Sequence, residues 1–289
     1  MTGVLPSDAF PSMTAPVIAL ALLAAILHAS WNAFLRVGAD RYWALMVMSF
    51  PSTIMGVVLF FIAPFPVAGA WPIIIVSSVF QLGYSLALVA AYREGDLGQV
   101  YPIMRGSIPL LVTLGGLLFA GQHLGPVEIV GIVLLAVGVM SLVLGGRGTT
   151  RASVGFALLA GAVIATYSTL DSIGVRAAGG NALGYTAGIL VVYGVMLPLA
   201  YVIARRRFDF DPRTRGFGPA FLSGTIAMVS YVVIIYAFTM GPAGPITALR
   251  ETSVVFATLI GWLFLKERLT ARRVIACVVV ALGAILIGW

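Results

Sequence analysis

Apolar runs of roughly 20 residues follow one another along the whole chain with only short loops between them. That pattern constrains the fold more than any motif. Hydrophobic residues make up 61% of the chain and charged residues 9%. A soluble domain needs about 25% charged residues to cover its surface. The surface must therefore face lipid, and a single hydrophobic globular core is not what organises the molecule. The 289 residues accommodate about ten spans, read at 16–35, 43–63, 72–92, 98–119, 126–145, 153–174, 182–203, 217–239, 244–265 and 271–289. Pro64 and Pro66, Gly145 and Gly146, Gly179 and Gly180, and Gly241 and Pro242 punctuate the joins.

A net charge of +7 and a pI near 9.9 do not point to nucleic acid here, because the basic residues sit in short loops where they act as topology signals. All of them except Arg105, Arg176 and Arg250 fall in the loops after spans 1, 3, 5, 7 and 9. The longest polar loop, Arg205–Arg215, reads RRRFDFDPRTR. The positive-inside rule puts these loops in the cytoplasm and both termini outside, as expected for a multi-pass protein of a bacterial-type inner membrane. Residues 1–15 lack Lys and Arg, so the basic region of a cleavable signal peptide is missing. One cysteine, Cys277 in an apolar stretch, excludes an internal disulfide and a cysteine-based metal cluster.

The two halves repeat. Arg105–Gly138 aligns without gaps onto Arg250–Gly283, superposing Arg105 on Arg250, Thr113 on Thr258, Gly116 on Gly261, Leu118-Phe119 on Leu263-Phe264, and Gly138 on Gly283. Upstream, AYREGDLG (Ala91–Gly98) lies over AFTMGPAG (Ala237–Gly244), and ALLAAILHASWN (Ala21–Asn32) over ALLAGAVIATYS (Ala157–Ser168). The units are 1–145 and 151–289, with five spans each. An odd span count makes the second unit enter from the opposite side, so the expectation is an all-α integral membrane protein of ten transmembrane helices in two inverted five-helix repeats. Inverted repeats place substrate near the midplane at the repeat interface.

Arg105 and Arg250 are the most informative residues. Arg105 lies about seven residues into span 4 and Arg250 about six into span 9, on the order of 10 Å inside opposite faces. Intramembrane arginines face a bundle interior or a water-filled cavity. Either they hold an anionic group such as a carboxylate, phosphonate or phosphate, or they snorkel or pair with protein carboxylates and carbonyls as struts. Glu251, the one carboxylate well inside a span, neutralises Arg105 across the bundle or binds a proton in coupled transport. It need not pair with Arg250, because consecutive helical residues point apart.

His28, Trp31 and Asn32 share one face of span 1 and suit a cavity wall, and His28 is also a candidate proton carrier. Gln81, Tyr84, Ser85 and Tyr92 form a stripe on span 3, and Tyr101 shares a face with Arg105. Tyr167, Ser168 and Asp171 on span 6 are the counterpart of the span 1 stripe, and Tyr193, Ser230 and Tyr231 add further polar points. Each of these also fits packing or interface anchoring. Catalytic residues, nucleotide fingerprints and metal-ligand clusters are absent from the sequence, and no cofactor is expected.

The stretch RETSVVFATLIGWLFLKERLTARRVIACVVVALGAILI (Arg250–Ile287) resembles the repeat signature of EamA-type members of the drug/metabolite transporter superfamily. A weaker copy is GSIPLLVTLGGLLFAGQHLGPVEIVGIVLLAVGV (Gly106–Val139), where Gly121, Gln122 and His123 replace the usual charged turn. HASWNAFLR (His28–Arg36) and AYREGDLGQVYPIMRGSIPLL (Ala91–Leu111) resemble a subgroup associated with phosphonate use. The resemblance implies a ten-helix, two-repeat transporter working by alternating access, and not an enzyme.

The sequence reading is therefore a secondary active transporter of a small polar metabolite, anionic or zwitterionic, such as an amino acid or organophosphonate. Arg105, Arg250, His28, Trp31, Asn32, Tyr84 and Tyr101 form the candidate substrate site, and Glu251 is the candidate for coupling. The expected partners are the lipid bilayer, a small-molecule substrate and protons as coupling ion. No nucleic acid is expected, and the chain is a monomer or a homodimer. The alternatives are a proton-coupled exporter of lipophilic cations, in which Glu251 dominates binding, a non-transporting sensor or scaffold, and a membrane-embedded enzyme on lipid-linked substrates.

Overall fold

A computed structural model describes residues 13–35, 40–94, 97–142, 151–265 and 269–288. Within them, the side chains of 32–35, 41, 88–94, 97–101, 151–153 and 264–265 lie outside the description. The described chain is all-helical: α1 (Ala15–Leu35), α2 (Arg41–Ile62), α3 (Trp71–Glu94), α4 (Leu97–Phe119), α5 (Pro126–Ser141), α6 (Arg151–Ala177), α7 (Ala182–Arg205), α8 (Phe217–Phe238), α9 (Ala243–Arg250), α10 (Ser253–Leu265) and α11 (Ala271–Ile287). In hydrocarbon every backbone N–H and C=O must find a partner inside the protein, and a helix does this within one segment. Among the described residues, seven stretches are long and apolar enough to cross a membrane: those in α2, α3, α4, α6, α7 and α8, and one running across α9 and α10. α1 and α5 contribute shorter apolar stretches. Phe61 at 86% exposure, Phe119 at 76% and Ile203 at 70% point outward, which in water would be an aggregation hazard and in lipid is the expected surface.

The expected run 244–265 is not one helix. α9 stops at Arg250 and α10 starts at Ser253. Between them the bonding tightens to i→i−3: Glu251 N–H donates to Ala248 O at 2.9 Å, Thr252 N–H to Leu249 O at 3.1 Å, and Val255 N–H to Thr252 O at 2.8 Å. Thr252 Oγ1 also donates to Leu249 O at 2.6 Å. A side-chain hydroxyl on the carbonyl ladder and a local 3₁₀ turn are recognised causes of a mid-helix break. The first-half equivalent, α4, carries Pro102 and Pro109 yet stays continuous.

Helix packing repeats when the halves are exchanged. α2 packs on α7 and α5 on α11, each helix meeting its own counterpart. α1 packs on α8 as α6 does on α3, and α1 on α9 and α10 as α6 does on α4. Caps tie the self-paired helices end to end. Asp40 accepts from the N–H groups of Tyr42 and Trp43 at the start of α2 and pairs with Arg205 at the end of α7, 3.0 Å away. Asn181 accepts from Gly184 N–H at the start of α7 and donates to Pro64 O, just past α2, at 2.8 Å. α2 and α7 therefore run antiparallel. Arg272, at the start of α11, donates to Ser141 O at the end of α5 at 2.9 and 2.8 Å, so that pair is antiparallel too.

α5 and α11 approach to backbone contact. A Cβ added at Gly131 would lie 2.8 Å from Gly283 O, and one at Gly283 would lie 2.7 Å from Gly131 O and from Leu135 N. The obstacles are backbone atoms and cannot swing aside. Gly131→Leu is expected to cost roughly 1–3 kcal/mol through overpacking. Gly155→Ala, where nothing lies within 4 Å, is expected to leave the unfolding temperature unchanged. Thermal unfolding of the two variants in detergent checks the contrast.

Candidate functional site

The helices enclose a cavity of about 170 Å³ bordered by α1, α2, α3, α6, α7 and α8, with Arg105 from α4 and Arg250 from the end of α9. One buried water needs ~10–15 Å³ on the same kind of measure, so the space fits a small metabolite. Of the residues expected to bind substrate, His28, Trp31, Tyr84, Arg105 and Arg250 line it. The side chains of Asn32 and Tyr101 lie outside the described residues. Glu251 is fully buried beside the two arginines and is not part of the wall.

The charged cluster is built by the helix break and by α4. Arg105 is 3% exposed, Arg250 8% and Glu251 0%. Arg105 Nε lies 3.1 Å from Glu251 Oε2, and its Nη2 donates to Ser253 Oγ at 3.4 Å. Arg250 Nη2 lies 3.7 Å from Glu251 Oε1. Arg250 and Glu251 are consecutive at the turn, and their charged groups lie within range of each other. Glu251 thus lies in ion-pair contact with Arg105 across the bundle. Among the described residues, both guanidinium groups border the cavity and Glu251 is the carboxylate that lies beside them.

On α1, Trp31 Nε1 donates to His28 Nδ1 at 3.2 Å, and the two rings meet edge to face at 5.0 Å. Tyr84 and Tyr167 face each other with centroids 6.5 Å apart, and Ser85 Oγ and Tyr193 Oη are 3.0 Å apart. The aromatic wall supplies apolar area with polar tips, the usual make-up of a small-molecule site.

A second carboxylate stands behind the wall. α6 continues to Ala177, so Asp171 is well inside a helix and 1% exposed, and the expectation that Glu251 alone is such a carboxylate is corrected. Ser77 Oγ and Tyr185 Oη donate to Asp171 Oδ1 at 2.6 and 3.0 Å, and Tyr231 Oη donates to Oδ2 at 2.8 Å. Gln81 Nε2 donates to Ser77 Oγ at 3.3 Å and to Tyr231 Oη at 3.2 Å. Gln81 and Tyr231 both line the cavity. The signals in the sequence were Tyr167 and Asp171 one turn apart on α6 and Ser77 one turn before Gln81 on α3. Tyr185, at the start of a different helix, had no local signal. Among the described residues no three His, Cys, Asp or Glu side chains come together as a metal site.

The pattern of the EamA-like transporter family matches the chain twice, over residues 15–144 and 151–289. No curated protein matches. A protein of known crystal structure, 17% identical, superposes with a TM-score of 0.72, over 93% of this chain and 94% of that one. At that identity the likeness concerns the fold alone. Two family matches cover nearly the whole sequence, and the chain belongs to the EamA-like transporter family, membrane transporters of the drug/metabolite superfamily.

Proposed function

We propose that this protein is a secondary active transporter that carries a small metabolite with an anionic group across the inner membrane by alternating access. The substrate class takes in zwitterions such as amino acids and organophosphonates, in keeping with the phosphonate-associated resemblance of His28–Arg36 and Ala91–Leu111. The observation that carries the reading is the pair of buried guanidinium groups, Arg105 and Arg250, bordering one cavity with the Glu251 carboxylate beside them. Arg105 and Arg250 hold the anion. His28, Trp31 and Tyr84 shape the rest of the site, with Asn32 and Tyr101 assigned to it from sequence.

The transport path is two inverted five-helix units, 1–145 and 151–289, of ten spans with both termini outside. What supports the inversion is that α2 with α7, and α5 with α11, are equivalent helices that pack antiparallel. What supports the orientation is the segregation of basic residues into alternate loops. The fused halves supply both sides of a pathway, so a monomer suffices. Nothing favours the cation-exporter reading, which needs Glu251 open to a ligand. Here Glu251 is buried and faces two arginines.

Thermal shift on the purified protein tests the substrate class, with 2-aminoethylphosphonate, L-alanine and tetraphenylphosphonium as probes. A ligand at 100 times its Kd stabilises the native state by about 2.7 kcal/mol. The expected result is a rise in unfolding temperature with the phosphonate or the amino acid. Stabilisation by tetraphenylphosphonium alone contradicts the proposal.

A further inference from the structure

The two buried carboxylates differ in their partners. Glu251 faces two guanidinium groups, those of Arg105 and Arg250. The groups that face Asp171 are neutral hydroxyls: Ser77 from α3, Tyr185 from α7 and Tyr231 from α8. Among the described residues, no ion pair involves it. Its own helix adds Tyr167 one turn earlier, and that phenol is within electrostatic reach of Asp171, Arg250 and Arg105 alike. A charge buried without a counter-charge is the one a protein relieves by taking up a proton.

The hydroxyl shell can serve either protonation state, because each Ser or Tyr hydroxyl can both donate and accept. With Asp171 ionised, the Gln81 amide donates to Ser77 Oγ and Tyr231 Oη, and both hydroxyls point their own protons at the carboxylate. When a hydronium ion in the cavity gives a proton to Tyr231 Oη and Tyr231 passes its own proton to Oδ2, water is left behind and the new carboxyl O–H donates to Tyr231 Oη. The Tyr231 hydroxyl then turns its proton toward the cavity that this residue already lines. No bond to carbon changes and no electron moves.

We infer that Asp171 is a proton-binding site linked to the anion site, so that a proton bound at Asp171 and an anion held by Arg105 and Arg250 travel together. Among the described residues the buried charged side chains are Arg105, Arg250, Glu251 and Asp171. Protonating Asp171 makes this group more positive by one charge, which favours an anion beside the two arginines. Binding of either partner therefore favours the other, and the linkage is reciprocal. Proton binding stands on the Asp171 geometry alone, and its coupling to the anion rests on the transport reading above.

Infrared difference spectroscopy of the protein in nanodiscs, titrated from alkaline to acid pH, reads the carboxyl directly. The expected result is a C=O stretch of a neutral carboxyl that grows on acidification, is absent in Asp171→Asn, and changes frequency in Tyr231→Phe, which loses one hydrogen-bond partner of Asp171. No such band in the wild type, or a band that neither variant alters, overturns the proton site. Tyr231→Phe keeps Asp171 in place and decides the matter if Asp171→Asn does not fold. Methanesulfonate, whose own charge is fixed over this range, then tests linkage. Its affinity is expected to fall about tenfold per pH unit above the carboxyl midpoint in the wild type, and to be flat in Asp171→Asn. A slope that persists in Asp171→Asn belongs to another group bordering the cavity, His28 first, and overturns the linkage. Methanesulfonate that fails to bind the wild type at any pH contradicts the anion site, and with it the linkage, while the carboxyl band still decides the proton site.

Discussion

Glu251→Ala is expected to destabilise the protein by about 3–5 kcal/mol, the cost of leaving a buried charge without its partner. Glu251 is fully buried, with Arg105 at 3.1 Å and Arg250 at 3.7 Å. Removing the carboxylate leaves two guanidinium groups facing each other in a low-dielectric interior, where their repulsion is poorly screened. It also removes the side chain that holds the α9–α10 turn against α4. Arg105→Met in the same molecule is expected to recover part of the loss, because one uncompensated charge remains instead of two. Chemical denaturation in detergent across wild type, both single variants and the double variant gives the coupling energy as a cycle. A loss below about 1 kcal/mol for Glu251→Ala, the range of an exposed pair, contradicts a buried ion-pair cluster at the break.

Arg105→Ala is expected to weaken binding of an anionic ligand by roughly 30-fold to several thousand-fold, from about 2–5 kcal/mol for truncating one side of a buried charged contact. Arg105→Lys is expected to recover only part of it, since an ammonium group cannot reproduce the planar fork that grips a carboxylate or phosphonate through two parallel bonds. Arg250→Ala is expected to weaken binding as well, since Arg250 borders the same cavity. Isothermal titration with 2-aminoethylphosphonate and L-alanine measures all three variants, after a thermal scan confirms that each is folded. Equal affinity in wild type and Arg105→Ala makes Arg105 a strut.

Much of the helical layout was legible because lipid makes it so. Runs of apolar residues have no alternative to helix in hydrocarbon, and the expected edges fall within a few residues of the helices seen, from Ala15 and Leu35 in α1 to Ala182 and Arg205 in α7. The break at Glu251 and Thr252 was not legible. No proline or glycine marks it, and its cause is a hydroxyl on a carbonyl together with a carboxylate drawn to an arginine on another helix. Arg105 and Arg250 stood out because an intramembrane arginine is costly enough to be conspicuous in any sequence. Asp171 was placed on span 6 as part of a polar stripe, but its surroundings were not legible. Its burial depends on Ser77, Tyr185 and Tyr231 arriving from three other helices, and such a convergence leaves no periodicity in one strand of sequence. The contact of Glu251 with Arg105 was legible as one option only, since it rests on a distance between helices.

The most direct test is uptake of labelled 2-aminoethylphosphonate and L-alanine into proteoliposomes preloaded with the same unlabelled compound, which needs no ion gradient and reports alternating access itself. Wild type is expected to show saturable exchange of at least one of the two, and Arg105→Ala, reconstituted to the same level in folded form, is expected to lose it. Exchange that is undiminished in Arg105→Ala, or no exchange of either compound by the wild type alongside exchange of tetraphenylphosphonium, contradicts an anion-carrying cavity built on Arg105 and Arg250.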